Sequence, residues 1–354
     1  MKRIVVKIGT HTLIKKSGDI DRAIIAKFVK EIKLLQTKNC EIIIVTSGAV
    51  AAGRFLHKNK TDLNKRAYAA IGQTYLTSIY ADEFSKESLL IAQILLGKND
   101  MADMQSYHNM GGMIKDLLKH RIVPLINEND AVTNGTVASY KDNDSLAVVI
   151  ALAIEADMVI NLSHVDGLFD KDPSRYSDAK LISKVENVTK ELMRQCDTDV
   201  SQHGSGGMIA KLRALRLASC FGITMVIANG QKERIIEKII NGECEGTIFL
   251  PNQKVLLKNR DRWLVSTKIS TGSIKIDAGA AEALKKRKSL LAVGVTKIYG
   301  TFNKGEVIDV LDEEGDQLAI GMVKINYHDL HGLLLKKEKI YNQEVIHVDD
   351  LIII

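Results

Sequence analysis

Six short apolar runs between residues 3 and 230 constrain the fold more than any other feature of this sequence. They are rich in β-branched residues, largely continuous rather than alternating, and end at or just before Gly, Ser, Asn or Asp. Strands that are buried on both faces of a parallel sheet have this pattern. The runs are "RIVVKIG" (3–9), "EIIIVTSG" (41–48), "SLLIAQILL" (88–96), "IVPLINEND" (122–130), "DMVINLS" (157–163) and "ITMVIANG" (223–230).

Helical patterns lie between these runs. Residues 21–38 place apolar side chains at helical spacing after Asp21, a candidate N-cap. Residues 143–155 and 207–220 show the same periodicity, and Gly222 is a candidate helix stop. Repeated βα units predict an α/β fold, a three-layer αβα domain with a mainly parallel central sheet. Ligands of such sheets bind beyond the carboxyl ends of the strands, so functional residues are expected at that edge.

The pattern changes from about residue 254 onward. The segments "KGEVIDVLD" and "LAIGMVKIN" alternate apolar and polar residues, and they follow the turn signals "NKG" and "EEGD". One short helix, "AGAAEALKKRK", interrupts the strands. We therefore predict two domains, residues 1–252 and a small β-rich domain at 270–354, with 253–269 as the connecting segment.

Composition and charge exclude several classes of protein. The sequence has no run of about 20 apolar residues that would span a membrane and no signal-peptide pattern, so a cytoplasmic location is expected. The net charge is +6, and residues 251–354 contribute 16 Lys and Arg against 14 Asp and Glu. This is not the strongly basic surface of a dedicated nucleic-acid binder. The four cysteines are scattered, which argues against a zinc site or a disulfide framework.

Two strand ends carry residues that suggest anion binding. Lys7 lies inside an apolar run beside Gly9, and a lysine is rarely buried without a partner. It either extends its ammonium to solvent at the strand end or contacts an anion. Ser47 and Gly48 end the second run before a series of small residues. These small residues either leave room for a ligand on backbone amides or permit tight helix–sheet packing.

Polar clusters follow the fourth run and open the next helix. Asn127, Glu128, Asn129 and Asp130 stand where the fourth strand ends, and either solvation or a small polar or cationic ligand accounts for them. Asp142, Asn143 and Asp144 precede an apolar helix. Capping accounts for one of these three side chains, and a lysine or a metal ion is the alternative partner for another.

The stretch "HGSGGMIAKLRA" (203–214) resembles a phosphate-binding loop, but three residues separate Gly207 from Lys211. Lys211 lies beside the apolar stripe of the following helix. It is also in the first turn, where the helix dipole disfavours a cation. A lysine that is locally unfavourable next to a glycine loop is explained by an ATP phosphate that rests on the glycine amides.

These blocks, in this order, resemble the amino-acid kinase family, and most closely its members that phosphorylate glutamate and carry a C-terminal PUA domain. The matching segments are "VVKIGT", "IVTSGAVAAGR", "AAIGQ", "VPLINENDAV", "DNDSLA" and "GSGGMIAKL". The resemblance covers essentially the whole chain and implies an amino-acid-kinase-like domain followed by a small β-rich PUA-like barrel. The implied reaction is the transfer of the ATP γ-phosphoryl group to the side-chain carboxylate of L-glutamate, the first step towards proline, with Mg²⁺ as cofactor.

The resemblance also implies roles for individual residues. It gives catalytic roles to Lys7 and Lys211, which contact the phosphoryl group, and to Asp144, which orients the lysines. The implied glutamate-binding residues are Ser47, Gly48, Asn127, Asp130 and Asn143. The implied ATP-binding residues are Lys7, Gly9, Ser163, His164, Ser205, Gly206, Gly207, Met208, Ile209, Ala210 and Lys211. No residue is assigned to a metal. His164 departs from the family pattern, which has an aspartate at this place.

Other interpretations stay open at this point. The chain is alternatively another acyl or phosphate kinase of the same family, or an RNA-binding PUA protein with a degenerate kinase domain. The "KKRK" run at 285–288 favours RNA, and the near-balanced charge of the C-terminal domain opposes it. The family further implies a homo-oligomer and inhibition by proline. We expect ATP and glutamate as the partners of the site, no membrane and no RNA.

Overall fold

A computed structural model describes the chain in two compact units, Met1–Leu256 and Leu257–Ile354. The described residues are 1–58, 63–101, 103–133, 143–171, 173, 175–186, 215, 218–219, 221–243, 245–251, 259–266, 272–336 and 342–353. Within these ranges no helix has the length and apolar character needed to cross a membrane.

The first unit is built on an eight-stranded sheet with the order β3-β4-β2-β1-β5-β9-β10-β8. All neighbouring strands are parallel except β9 and β10, which pair antiparallel. The six apolar runs form β1 to β5 and β9, as predicted. The strands of this sheet are β1 (Lys2–Ile8), β2 (Cys40–Val45), β3 (Ile91–Leu96), β4 (Val123–Glu128), β5 (Met158–Ser163), β8 (Lys184–Val185), β9 (Thr224–Asn229) and β10 (Gly246–Phe249), and a separate hairpin pairs β6 (Leu168–Phe169) with β7 (Leu181–Ile182).

Helices cover both faces of this sheet. Alternate β1 residues point to opposite faces. Ile4, Val6 and Ile8 pack in one core with α2, α4 and α7, whereas α5 and α6 contact the sheet from the other side. The predicted three-layer αβα arrangement is confirmed. The described helices of this unit are α1 (Thr10–Leu13), α2 (Arg22–Thr37), α3 (Ala49–Leu56), α4 (Lys65–Lys86), α5 (Met104–Lys119), α6 (Asn143–Ile154) and α7 (Ile235–Ile240).

Helix α2 shows how the local sequence determines where a helix begins and which face it buries. The Asp21 side chain accepts a hydrogen bond from Ala23 N, so it caps the helix as predicted. Ile25, Phe28 and Ile32 are buried at the predicted spacing. The helix predicted over 143–155 is α6, and most of the helix predicted over 207–220 lies outside the described residues.

Helices α3 and α4 pack with their backbones in unusually close contact. A Cβ atom built on Gly53 would lie 1.9 Å from Tyr68 O, and one built on Gly72 would lie 1.8 Å from Ala49 O. Only glycine permits this approach. The small residues after the second strand therefore pack closely against α4, and α3 begins directly beyond the carboxyl end of β2.

The second unit contains a six-stranded sheet with the order β12-β16-β15-β14-β11-β13. The two alternating segments form β14 and β15, which pair antiparallel, and Gly305 and Gly315 take positive φ angles in the turns beside them. The predicted β-rich C-terminal domain is confirmed. Its described elements are α8 (Asn259–Ser266), β11 (Ser273–Ile276), α9 (Ala278–Lys285), β12 (Leu290–Leu291), β13 (Val295–Tyr299), β14 (Val307–Leu311), β15 (Gln317–Val323), α10 (Tyr327–Lys336) and β16 (Glu344–Ile353).

The segment predicted as a connection, residues 253–269, contains helix α8. Leu264 and Val265 on this helix are buried, and α8 contacts β15 and β16 of the second unit. The exact residues at which the two domains begin and end stay a prediction.

Candidate active site

Four parallel strands, β1, β2, β4 and β5, end at the same edge of the large sheet. The strand register pairs Lys7 with Val45 of β2 and with Asn161 of β5, and pairs Val45 with Ile126 of β4. The side chains that follow these positions are therefore neighbours in space. This edge is where the sequence predicted the functional residues.

Lys7 forms a buried ion pair with Asp144. Its Nζ lies 2.6 Å from Asp144 Oδ1, and the two residues are 7% and 4% exposed. Asn161 Nδ2 donates to the same carboxylate oxygen at 2.9 Å. The sequence left two interaction partners open for Lys7, solvent or an anion. It also predicted a lysine or a metal ion as the partner of one of the three polar residues at 142–144. The structure pairs these two residues with each other and adds Asn161, which the sequence analysis did not single out.

A chain of amides crosses the edge next to this ion pair. Asn143 Nδ2 donates to Thr46 O at 2.6 Å, and it lies 3.2 Å from Ser47 Oγ and 3.0 Å from Asn127 Oδ1. Asn127 Nδ2 in turn donates to Gln73 Oε1 at 2.8 Å. The structure thus brings together three predicted substrate residues, Ser47, Asn127 and Asn143. Asn143 is followed directly by Asp144, so the chain of amides is connected to Lys7.

The hydrogen bonds identify the donor and acceptor ends of two amides. Asn143 uses its NH₂ group on protein acceptors, and its Oδ1 is the acceptor of this amide. Asn127 is 2% exposed, and its Oδ1 also accepts from Glu128 N at 2.9 Å. Both ends of the Asn127 amide are therefore engaged with protein. Gln73, on α4, holds that amide; it lies in the matching segment "AAIGQ", but it was not among the predicted site residues.

Two glycines shape the same edge differently. Gly48 has φ +101° and ψ 0° and precedes α3 without a side-chain cap, so the first amides of α3 have no capping partner from this position. Gly9 N donates to Leu162 O at 3.0 Å, so its amide belongs to the strand pairing. A Cβ at Gly9 would lie 3.6 Å from Lys7 Nζ, so the backbone of Gly9 lies close to the ammonium group.

A cavity of about 420 Å³ lies between α4 and the ends of β3 and β4. Its wall includes two carboxylates, Glu128 and Asp130, and the amide of Gln73. Burial raises the pKa of Asp130, and the nearby Lys65 opposes this effect. Because burial disfavours the ionised form, the Asp130 carboxylate gains from a ligand cation that enters the cavity.

The remaining predicted residues divide into two groups. Ser163 is buried at the end of β5 and accepts a hydrogen bond from Gly230 N, whereas His164 is exposed next to it. The predicted ATP loop, including Ser205 and Lys211, lies outside the described residues, as does Asp142. Within the described part of the chain, no group of three or more His, Cys, Asp or Glu could hold a metal ion.

Comparisons with known proteins agree with this arrangement. Residues 2–229 match the model of the amino acid kinase family, and residues 272–339 match the PUA domain. The chain is 38% identical over 365 residues to a protein named glutamate 5-kinase from Thermoanaerobacter sp. (strain X514), covering 99% of this chain and 98% of that protein.

Two other relatives carry the same name. The glutamate 5-kinase of Dehalococcoides mccartyi (strain CBDB1) is 38% identical over 370 residues, covering 100% of this chain and 98% of that protein. The one from Methanosarcina barkeri (strain Fusaro / DSM 804) is 37% identical over 342 residues, covering 93% of this chain and 88% of that protein. The resemblance seen in the sequence blocks is confirmed, and the chain belongs to the amino acid kinase family.

Proposed function

We propose that this chain transfers the γ-phosphoryl group of ATP to the side-chain carboxylate of L-glutamate, the reaction that begins proline biosynthesis. The observation that carries the proposal is the shared edge of the sheet, where a buried lysine adjoins an amide chain and an acidic cavity. Full-length similarity to proteins named glutamate 5-kinase supports the choice of acceptor.

The acidic cavity and the amide chain fit an amino-acid substrate. Asp130 supplies a carboxylate for the α-ammonium group, and Asn143 Oδ1 supplies a neutral acceptor. Ser47 and the uncapped first turn of α3 after Gly48 offer donors for a substrate carboxylate. Asn127 acts as a positioning residue in this proposal, because both ends of its amide bond to protein.

The chemistry needs no general base. A glutamate side chain has an unperturbed pKa of about 4.3, so it is already a nucleophilic anion at neutral pH. One carboxylate oxygen forms a bond to the γ-phosphorus while the bond from that phosphorus to the bridging oxygen of ADP breaks. The barrier is the approach of an anion to a charged phosphate, which positioned cations lower.

Among the residues that the structure describes, Lys7 supplies the cation at this position. Asp144 fixes the direction of its ammonium group. The buried carboxylate and Asn161 restrict Lys7 to one orientation, so little reorganisation is needed when the phosphoryl group arrives. Lys211 is proposed as a second cation from the glycine-rich segment, and Ser205, Gly206, Gly207, Met208, Ile209 and Ala210 as contacts of the nucleotide with Lys211, together with Gly9, Ser163 and His164.

Mg²⁺ is proposed as a partner of ATP rather than a resident of the protein. The resemblance assigns no residue to the metal, and Mg²⁺ commonly keeps several waters and binds through the phosphates of its substrate. When bound, Mg²⁺ neutralises part of the phosphate charge. A cytoplasmic location, a homo-oligomer and inhibition by proline remain proposals from the family.

A direct assay tests this function. Purified protein is incubated with MgATP and glutamate, ADP release is followed, and the acyl phosphate is trapped with hydroxylamine as a hydroxamate. We expect both signals to depend on glutamate and to be absent with D-glutamate, L-aspartate or UMP as acceptor. Release of ADP that is unchanged by glutamate, or a stronger signal with UMP, would contradict the proposal and favour another kinase of the family.

A further inference from the structure

One lysine at the start of α4 has no role in the chemistry described so far. Lys65 is the first residue of this helix, directly after its N-cap Asn64, and its side chain is exposed. A cation in the first turn opposes the helix dipole, so the stability of α4 does not explain this lysine. Within the described part of the chain, its ammonium group forms no ion pair with a carboxylate.

The spacing of residues along α4 places Lys65 next to the acidic cavity. Ala69, Gln73 and Thr77 all line this cavity, and they are four residues apart. Residues with this spacing are neighbours on the surface of a helix. Lys65 precedes Ala69 by the same interval, so it extends the row by one turn. The lysine therefore stands at the amino end of the α4 face that lines the cavity.

The charge of Lys65 reaches Asp130, in the part of the cavity wall that follows β4. Burial raises the pKa of Asp130, and the positive charge of Lys65 acts in the opposite direction. The two groups are thus close enough to interact through their charges, yet they are not joined in an ion pair. An α-amino acid carries an ammonium group and a carboxylate on one carbon atom. A lysine and an aspartate separated in this way match both charges.

The charges of the substrate and of the cavity also favour a cation here. L-Glutamate has two carboxylates and one ammonium group at neutral pH, so its net charge is negative. The cavity wall already carries the carboxylates of Glu128 and Asp130. The Lys7 ammonium group is held by Asp144 and is assigned to the phosphoryl group. Lys65 is the described cation that acts on Asp130, so it offsets the repulsion that an anionic substrate meets.

We propose that Lys65 binds the α-carboxylate of L-glutamate while Asp130 binds the α-ammonium group. The inference rests on the proposed function, because it names a specificity-determining residue of the same acceptor site. It also orients the substrate. The α-carbon lies between α4 and the residues that follow β4, which leaves the side-chain carboxylate for Ser47, the first amides of α3 and the phosphoryl group. An acceptor whose α-carboxylate is uncharged is then bound weakly.

A substrate analogue isolates this contact. L-Isoglutamine carries a neutral carboxamide in place of the α-carboxylate of glutamate and is otherwise the same molecule. Titration calorimetry at saturating Mg²⁺ and AMP-PNP measures the affinity for both ligands without phosphoryl transfer. We expect the wild type to prefer glutamate about tenfold or more, the scale of one charge-assisted hydrogen bond. Lys65→Met should weaken glutamate binding about tenfold and change isoglutamine binding by about twofold or less.

Two further variants serve as controls. Lys65→Arg keeps the positive charge and should retain the preference for glutamate. Lys119→Met removes one positive charge from the last turn of α5, shortly before β4 begins at the opposite edge of the sheet, and should leave both affinities unchanged. Both lysines are exposed, so neither substitution removes buried packing. Lys65→Met also relieves an unfavourable dipole interaction, so the variant should fold as well as the wild type.

The outcomes separate this inference from the proposed function. An unchanged glutamate affinity in Lys65→Met overturns the inference, and so does an equal loss for glutamate and isoglutamine, because the lysine would then not act on the α-carboxylate. If the wild type still releases ADP in response to glutamate, either result removes only the Lys65 contact. The expected affinity pattern without glutamate-dependent ADP release supports the contact and refutes the function.

Discussion

Lys7 Nζ lies 2.6 Å from Asp144 Oδ1, and this buried pair joins the end of β1 to the first turn of α6. A buried ion pair is weak evidence for stability, because desolvation of both groups offsets their attraction. The effect of this ion pair is to orient the Lys7 ammonium group. Asp144 and Asn161 fix the ammonium group at the carboxyl edge of the sheet, close to the Gly9 backbone.

Replacement of Lys7 by alanine should therefore reduce catalysis more than binding. We expect kcat to fall about 10²- to 10³-fold, the usual cost of removing one preorganised electrostatic contact, while KM for glutamate changes by only a few-fold. Steady-state kinetics at saturating ATP measure both values. Lys2→Ala, at the exposed start of the same strand, is the control and should behave as wild type. A Lys7→Ala enzyme with near-normal kcat would refute the assignment.

Asp144→Asn should destabilise the protein through the lysine that remains. An uncompensated buried ammonium costs about 3–5 kcal/mol, so the urea midpoint of the first unit should fall clearly. The double variant Lys7→Met/Asp144→Asn removes both charges. We expect it to regain most of the lost stability while it remains inactive. A double variant as unstable as Asp144→Asn alone would contradict this account, because the loss would then come from something other than charge.

The raised pKa of Asp130 predicts that this carboxyl group lowers the stability of the folded protein at neutral pH. A carboxyl with a raised pKa in the folded state favours folding below its unfolded pKa, and this advantage is lost as the pH rises through the folded pKa. Asp130→Asn should therefore raise Tm at pH 7, and the difference should shrink towards pH 4. Thermal melts across this range measure the effect.

The same substitution should weaken glutamate binding. We expect KM for glutamate to rise at least tenfold in Asp130→Asn while KM for ATP is unchanged, because an ammonium group loses its carboxylate partner. In the wild type, KM for glutamate should rise as the pH falls through the raised pKa of Asp130. A variant with unaltered KM for glutamate would show that the ammonium group binds elsewhere.

Gln73 offers a test of the amide chain. Gln73→Leu leaves Asn127 Nδ2 without its acceptor in a buried position, at a cost of about 1–3 kcal/mol. Because Asn127 accepts from Glu128 N and contacts Asn143, the disturbance should reach the substrate cavity and raise KM for glutamate about tenfold. Gln36→Leu, on α2, is the control, because it also removes a glutamine side chain that makes one hydrogen bond, to Arg121 O. If both variants have the same KM for glutamate, Gln73 affects only the residues next to it and not the substrate cavity.

The sequence identified the elements better than it identified the contacts. Strands buried on both faces are continuous apolar runs, so β1 to β5 and β9 were predicted within a few residues. Lys7 was recognisable because it interrupts such a run. The partners of Asn143 and Asp144 come from distant strands, and local reasoning offered capping as an alternative. Asn161 stands inside a quoted apolar run and Gln73 inside a matching block, but neither was singled out, because only the folded chain shows which residues lie opposite them.

The close contact of α3 and α4 gives a final prediction, on stability and binding together. Gly72→Ala places a Cβ 1.8 Å from Ala49 O and 2.4 Å from Gly53 N, both backbone atoms that cannot move without shifting α3. We expect a loss above the 1–3 kcal/mol that is typical of overpacking, together with a raised KM for glutamate, because Gly48 and Ala49 border the site. Gly112→Ala is the matched control, since Gly112 lies on the exposed face of α5 and a Cβ there meets nothing within 4 Å. It should instead stabilise the protein by about 0.5–1 kcal/mol, because alanine favours the helix. Urea unfolding and glutamate kinetics on both variants measure the difference, and a Gly72→Ala protein as stable as wild type would show that α3 and α4 can separate at no cost.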